Sequence, residues 1–175
     1  MGVMERLEEL ERRLDQMVVR GTIEAVDCGK HRVRVRFGDE SVSDWLEWKP
    51  TRSGNVTMWS PPQVGEGCTI ISDGDLANGE VLLGSYHSSM PAPSTSPDET
   101  VIQWPDGTRV VYDMAKHELS VTVAGNVRVK ATGDIIADAS NIKLNGGKGV
   151  VTGAHLCQIS GKPHSDCSST VTAGK

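Results

Sequence analysis

Aromatic residues are scarce in this chain of 175 residues: they make up 4%, with four Trp, two Tyr and a single Phe. So few large rings cannot fill one core spanning the whole length, so part of the chain must be ordered without a conventional core. The scarcity is local as well, because no aromatic residue occurs between Met114 and Val151. No apolar run approaches the roughly 18 residues of a membrane-spanning helix, and the N-terminus is charged and helical in pattern rather than shaped like a signal peptide. The expectation is a protein made in the cytoplasm and moved by other components. The four cysteines, Cys28, Cys68, Cys157 and Cys167, are too scattered for a secreted disulfide scaffold. Cys28 and Cys68 fall within strand-like segments, where buried free thiols are expected. An excess of positive charge is also missing: the net charge is −5, with residues 1–99 at −7 and residues 100–175 at +2. Neither half presents the basic surface that nucleic acid requires.

What is present begins with a helix. Met4, Leu7, Leu10, Leu14 and Met17 recur at helical spacing, and Glu8 and Glu9 each precede an arginine by four residues. The pattern fits two arrangements equally: a helix packed on the next domain, or three helices bundled at one end of an oligomer. From Val18 to Tyr86 the period changes to strands: Arg20–Val26, Arg32–Phe37, Trp45–Trp48, Val56–Trp59, Cys68–Ser72 and Glu80–Ser85. Val33, Val35 and Phe37 alternate with Arg32, Arg34 and Arg36, as in a half-buried strand with a cationic outer face. Five or six short strands of this kind fit a small OB-like barrel. The Ser- and Pro-rich segment 87–99 reads as a linker, and Thr100–Asp113 as a hairpin turning at Pro105-Asp106-Gly107.

Beyond that hairpin, short apolar steps alternate with polar residues and Gly/Asn/Asp turns. Val121-Thr-Val-Ala-Gly-Asn-Val127 is echoed by Val129-Lys-Ala-Thr-Gly-Asp-Ile135, and a shorter copy follows near Ala137–Ile142. Strands this short, with one narrow apolar face, have too little to bury within one chain. Another copy of the same segment is the simplest partner, so an intertwined β oligomer is expected.

The tail gathers His155, Cys157, His164 and Cys167 within thirteen residues, the densest set of metal-ligand side chains in the sequence. Their spacing matches no zinc-finger pattern. If three copies meet on an axis, a metal there receives ligands in threes. Two imidazoles from each chain would then give a six-nitrogen site, better suited to iron or another transition metal than to structural zinc. Such a site has no open position and braces rather than catalyses. A hydrolytic reading, with Cys157 as nucleophile, His164 or His155 as base and Asp166 as orienter, lacks a scaffold to hold those groups. An oligonucleotide-binding reading, with Arg32, Arg34 and Arg36 beside Trp45 and Trp48, is opposed by the interleaved Asp39, Glu40, Asp44 and Glu47.

Taken together, the helix MERLEELERRL, the strands RGTIEAVD and HRVRVRF, the segments WSPPQVGEGCTIIS and GEVLLGSYHS, the hairpin TVIQWPDGTRVVYD and the tail GAHLCQISGKPHSD with SSTVTAGK point to one family. Over nearly its whole length the chain resembles baseplate assembly protein V, the central spike of contractile-tail phages, and the tail spikes of R-type pyocins. The resemblance implies an all-β homotrimer: a short N-terminal helix (1–18), an OB-fold domain (19–86), a linker (87–99), a triple-stranded β-helix (100–151) and a pointed apex (152–175). It also implies one iron per trimer, held at the apex by His155 and His164. Cys157 stands where a second His of the family's compact His-x-His would sit, which makes it a reserve ligand. The last residues also look like zinc-bearing PAAR tip proteins, so zinc is the alternative metal. The implied role is structural, not enzymatic: a spike assembled in the host cytoplasm, seated on the baseplate hub and tail tube proteins, and driven through the target cell's outer membrane when the sheath contracts, without binding nucleic acid.

Overall fold

The computed structural model describes residues 2–143 and 156–162. The chain divides after Gly125 into two compact units, and every named helix and strand among the described residues lies in the first.

Helix α1 spans Val3–Met17 and is built from strong helix formers. At its start Glu5 reaches back to accept the Gly2 N–H at 2.7 Å, one half of a capping box. On its wet face the Glu9 carboxylate accepts from Arg12 and from Arg13, both at 2.8 Å, and these guanidinium groups pull its pKa down to about 2. The β-branched pair Val18-Val19 then turns the chain directly into strand β1, Val18–Asp27. The last turn of the helix is tied to the barrel at Ser72, whose N–H donates to the Met17 carbonyl at 2.9 Å and whose hydroxyl donates to that of Gln16 at 2.6 Å. No residue of α1 is buried. In the single chain its last turns meet the barrel at Ser72 and Gly74 while its apolar stripe stays uncovered.

Strand β1 pairs antiparallel with both β2 (Arg32–Phe37) and β5 (Gly67–Ile71). Strand β2 also pairs with β4 (Leu46–Trp48) and with the two-residue β3, Ser41–Val42. Strand β4 runs parallel to β6 (Glu80–Ser85), which returns antiparallel to β5. The circuit β1–β2–β4–β6–β5–β1 is closed, the strand order of a five-stranded OB barrel. A bulge at Glu24, where the β1–β2 register slips between Ile23 and Ala25, bends β1 so that it serves two neighbours. Closure brings backbones very close. A Cβ built on Gly21 would lie 2.3 Å from the Arg36 carbonyl oxygen, and one on Gly67 2.2 Å from that of Ser85. Glycine is required at both sites.

The alternation in β2 places Val33 and Val35 inside, where they meet Ile23, Leu46, Trp48, Cys68, Ile70 and Val81. These eight are the buried apolar residues of the described chain, and all belong to the barrel. Cys68 is buried as expected, and burial pushes its thiol up to about 11. Cys28 is not. It sits exposed in the turn after β1, because the Asp27 carboxylate accepts the Lys30 N–H at 3.0 Å and takes the chain out of the ladder one residue earlier. The expected strand at Val56–Trp59 is also absent. That stretch belongs to a long connection between β4 and β5, interrupted by Pro50, Pro61 and Pro62, with one isolated bridge between Ser53 and Thr57.

After the 87–99 segment comes a second sheet of three antiparallel strands, β7 (Glu99–Gln103), β8 (Arg109–Asp113) and β9 (Glu118–Thr122). The β7–β8 turn falls where Pro105-Asp106-Gly107 predicts it. The Gly107 N–H donates to the Trp104 carbonyl at 3.1 Å, and the Thr108 N–H to the Asp106 carboxylate at 2.9 Å. Residues expected to order only in an oligomer, from 114 onward, therefore include one strand, β9, that pairs within its own chain. Described residues 123–143, where the repeat continues, form no strand in the single chain.

Candidate functional site

Three places carry the chemistry singled out in the sequence: the arginine face of the barrel, the two faces of the β7–β9 sheet, and the tail.

On the barrel, each arginine of β2 is spent on its own chain. The Arg36 guanidinium donates twice to Glu24, at 2.9 and 2.7 Å, a two-pronged pair that lowers the Glu24 pKa and raises that of Arg36. Arg34 donates to the Ser43 carbonyl at 2.9 Å and Arg32 to the Trp45 carbonyl at 2.9 Å, with Glu47 also in reach. Of the two expected stacking platforms, Trp48 is 6% exposed and belongs to the core, whereas Trp45 is 41% exposed. What reads in sequence as a basic stacking face is in large part a hydrogen-bonded ladder that knits β2 to its neighbours. Trp59 instead lies over Trp48 and His31, with ring centroids 5.9 and 5.3 Å away, and so pins the long connection onto the barrel.

The second sheet has two unlike faces, as its register dictates. One carries Glu99, Arg109, Val111, Asp113 and Ser120. Asp113 is buried there. Its carboxylate accepts the Ala115 and Lys116 N–H groups at 3.0 Å each and the Lys116 ammonium at 2.6 Å, which together hold its pKa below the ordinary carboxyl range. Glu99 accepts the Ser94 hydroxyl at 2.6 Å, and Arg109 donates to the Pro93 carbonyl at 3.4 Å, so the preceding segment is tied to this face. The opposite face carries Ile102, Val110 and Val121 in one row and Thr100, Tyr112 and Leu119 in the next. It is bare: Ile102, Val121 and Leu119 are 54%, 59% and 66% exposed.

In the tail, His155 and His164, and with them Cys167 and Asp166, lie outside the described residues. Cys157 is described. It opens a tight turn in which the Gly161 N–H donates to the Cys157 carbonyl and the Cys157 N–H to that of Lys162, both at 2.8 Å. Gly161 has φ +65°, where a side chain would be strained. The turn aims donors at the sulfur: hydrogen bonds from the Ser160 side chain and from the Ser160 and Ile159 backbone lower the thiol's pKa. A thiolate held by peptide N–H groups is suited to metal ligation. The signal in the sequence was Cys157-x-x-Ser160-Gly161, where a hydroxyl three residues on and a glycine after it close a loop around the sulfur. Among the described residues, no three His, Cys, Asp or Glu side chains converge on one metal-sized site.

Residues 19–87 match the family described as the type VI secretion system/phage-baseplate injector OB domain, the segment that closes as the five-stranded barrel. Over 138 residues the chain is 34% identical to the spike protein of Escherichia phage P2, an alignment covering 78% of this chain. By both comparisons the chain is similar to a phage baseplate spike. It spans 65% of the phage P2 protein's length, a little under two thirds. The matched OB segment reaches one residue beyond the expected boundary at 86, to His87, whose ring nitrogen bonds the Gly65 carbonyl at 2.9 Å.

Proposed function

We propose that this chain is the central spike of a contractile-tail baseplate. It acts as a homotrimer that seats on the hub and tail tube proteins and pierces the target cell's outer membrane when the sheath contracts. The observation that carries this reading is the bare apolar face of the β7–β9 sheet. A lone chain leaves Ile102, Leu119, Val121 and Tyr112 half in water, and burying what remains exposed of each would contribute on the order of 1 kcal/mol. Three copies sharing that face bury it without any other partner. The repeat that continues past Gly125, unpaired in one chain, then winds with its copies into the triple-stranded β-helix. The likeness to a phage spike supports the same role.

At the apex, the donors around Cys157 favour its thiolate form, and His155 and His164 are the imidazoles nearest to it in sequence. We propose that they hold one iron per trimer, with Cys157 as the reserve ligand and zinc as the alternative metal. The ion supplies a cross-link among chains and no chemistry on a substrate. Imidazole binds metal only when neutral, so the ion should be lost as pH falls well below about 6.5. Native mass of the full chain, measured together with elemental analysis, tests the proposal. A mass of three chains with one metal supports it, and a metal-free monomer overturns it. In His164→Ala the metal should be lost while the trimer persists, since the sheet face is a separate contact. Full metal retention in that variant would mean that His164 is not a ligand.

A further inference from the structure

The apolar stripe of α1 is the largest unexplained feature of the first unit. Val3, Leu7, Leu10, Leu14 and Met17 are separated by four, three, four and three residues, the heptad repeat of a coiled-coil seam. All five face water, at 42–84% exposure. With Leu7 and Leu14 as the a positions and Val3, Leu10 and Met17 as d, Arg6 and Arg13 fall at g and Glu11 at e. Among the described residues, Glu9 pairs with Arg12 and Arg13, whereas neither Arg6 nor Glu11 has an ion-pair partner. Five residues apart, these two point about 140° away from each other around one helix and cannot pair within it. In a parallel coil, g of one helix meets the following e of its neighbour, which sets Arg6 against Glu11 of the next copy.

We infer that α1 is the strand of a parallel three-helix coiled coil formed by copies of this chain and closed by interchain Arg6–Glu11 pairs. The inference rests on the trimeric reading above, which sets the number of helices; neither a position is β-branched, so nothing in the seam favours two strands. The direction follows from the chain itself. Helix α1 runs into β1 without an intervening residue, so copies related by rotation about a common axis point the same way. An antiparallel pairing would instead set g against g, placing Arg6 against Arg13. At 15 residues the helix is too short to associate by itself, and tethering to an already trimeric body supplies the effective concentration it needs.

The local charges give the test a sign. Within its own helix Glu11 lies three residues after Glu8 and four before Asp15, so in a lone helix Glu11→Arg relieves repulsion and raises stability. In the coil the same change faces the neighbour's Arg6 and lowers it. The full-length chain and the variants Arg6→Glu, Glu11→Arg and the double exchange should be compared by sedimentation and by thermal loss of helical ellipticity. We expect trimers throughout, a lower melting temperature of the helical signal in each single variant, and recovery toward the parent in the double exchange. A trimer in which Glu11→Arg melts higher, or in which the double exchange merely sums the single effects, overturns the coil and leaves the trimer standing. A monomeric parent chain overturns both.

Discussion

Cys68 and Cys157 carry the same thiol in opposite settings. Burial between Gly21 of β1 and Leu83 of β6 raises Cys68 to about 11, whereas the turn donors of Ile159 and Ser160 lower Cys157. Because the thiolate is the reactive form, iodoacetamide at pH 8 should label Cys157 well before Cys68, read by peptide mass spectrometry; equal rates would mean that the turn does not form around the sulfur. Added metal should protect Cys157 if it is a ligand. Asp113 works the other way round. Its carboxylate is held low by Lys116 first and by the turn N–H groups after it, so its contribution to stability is present above the ordinary carboxyl value of about 3.9 and is lost as pH falls through the depressed one. Asp113→Ala should lower the urea midpoint of the second sheet at pH 7 and remove part of its acid sensitivity below pH 4. An unchanged midpoint would show the turn holding without its carboxylate.

At the scale of elements, the barrel depends on two places where strands nearly touch. Gly67→Val would drive a side chain into the Ser85 carbonyl and should destabilise the barrel by about 3 kcal/mol or more, measured by denaturant unfolding; a near-neutral effect would mean that β5 and β6 can separate there without loss. Much of this element plan was legible in the sequence. The alternation in β2 was decisive, because Val33 and Val35 on one side and three arginines on the other allow only one orientation. The hairpin turn at Pro105-Asp106-Gly107 was equally clear, since each residue type serves one position of a turn. Val56–Trp59 misled because β-forming residues make a strand only where a neighbouring edge is free, and the barrel closes without them. The short β3 was missed because two residues carry no period. The donors around Cys157 were hidden because backbone N–H groups have no side-chain signature, and among the described residues the repeat past Gly125 finds no strand partner in the single chain.

For the whole molecule, the two unlike faces of the β7–β9 sheet assign separate tasks to the same strands. Ile102→Asp with Val121→Asp places charges on the face proposed to be shared among copies, where burial without a partner is costly. The double variant should run as a monomer with its barrel intact, by native mass and circular dichroism, and persistence of the trimer would exclude this face as the interface. The barrel should also fail to bind labelled single-stranded DNA at low salt, because residues 1–99 carry a net −7 and the β2 guanidinium groups are committed to their own chain; saturable binding that weakens with salt would reverse that expectation. A last consequence comes from the junction of α1 with β1. Met17 ends the helix, Val18 begins the strand, and Ser72 ties both final carbonyls to the barrel. There is no swivel. Torque reaching the first residues must therefore turn the barrel with them, as a key turns the shaft into which its bow is forged.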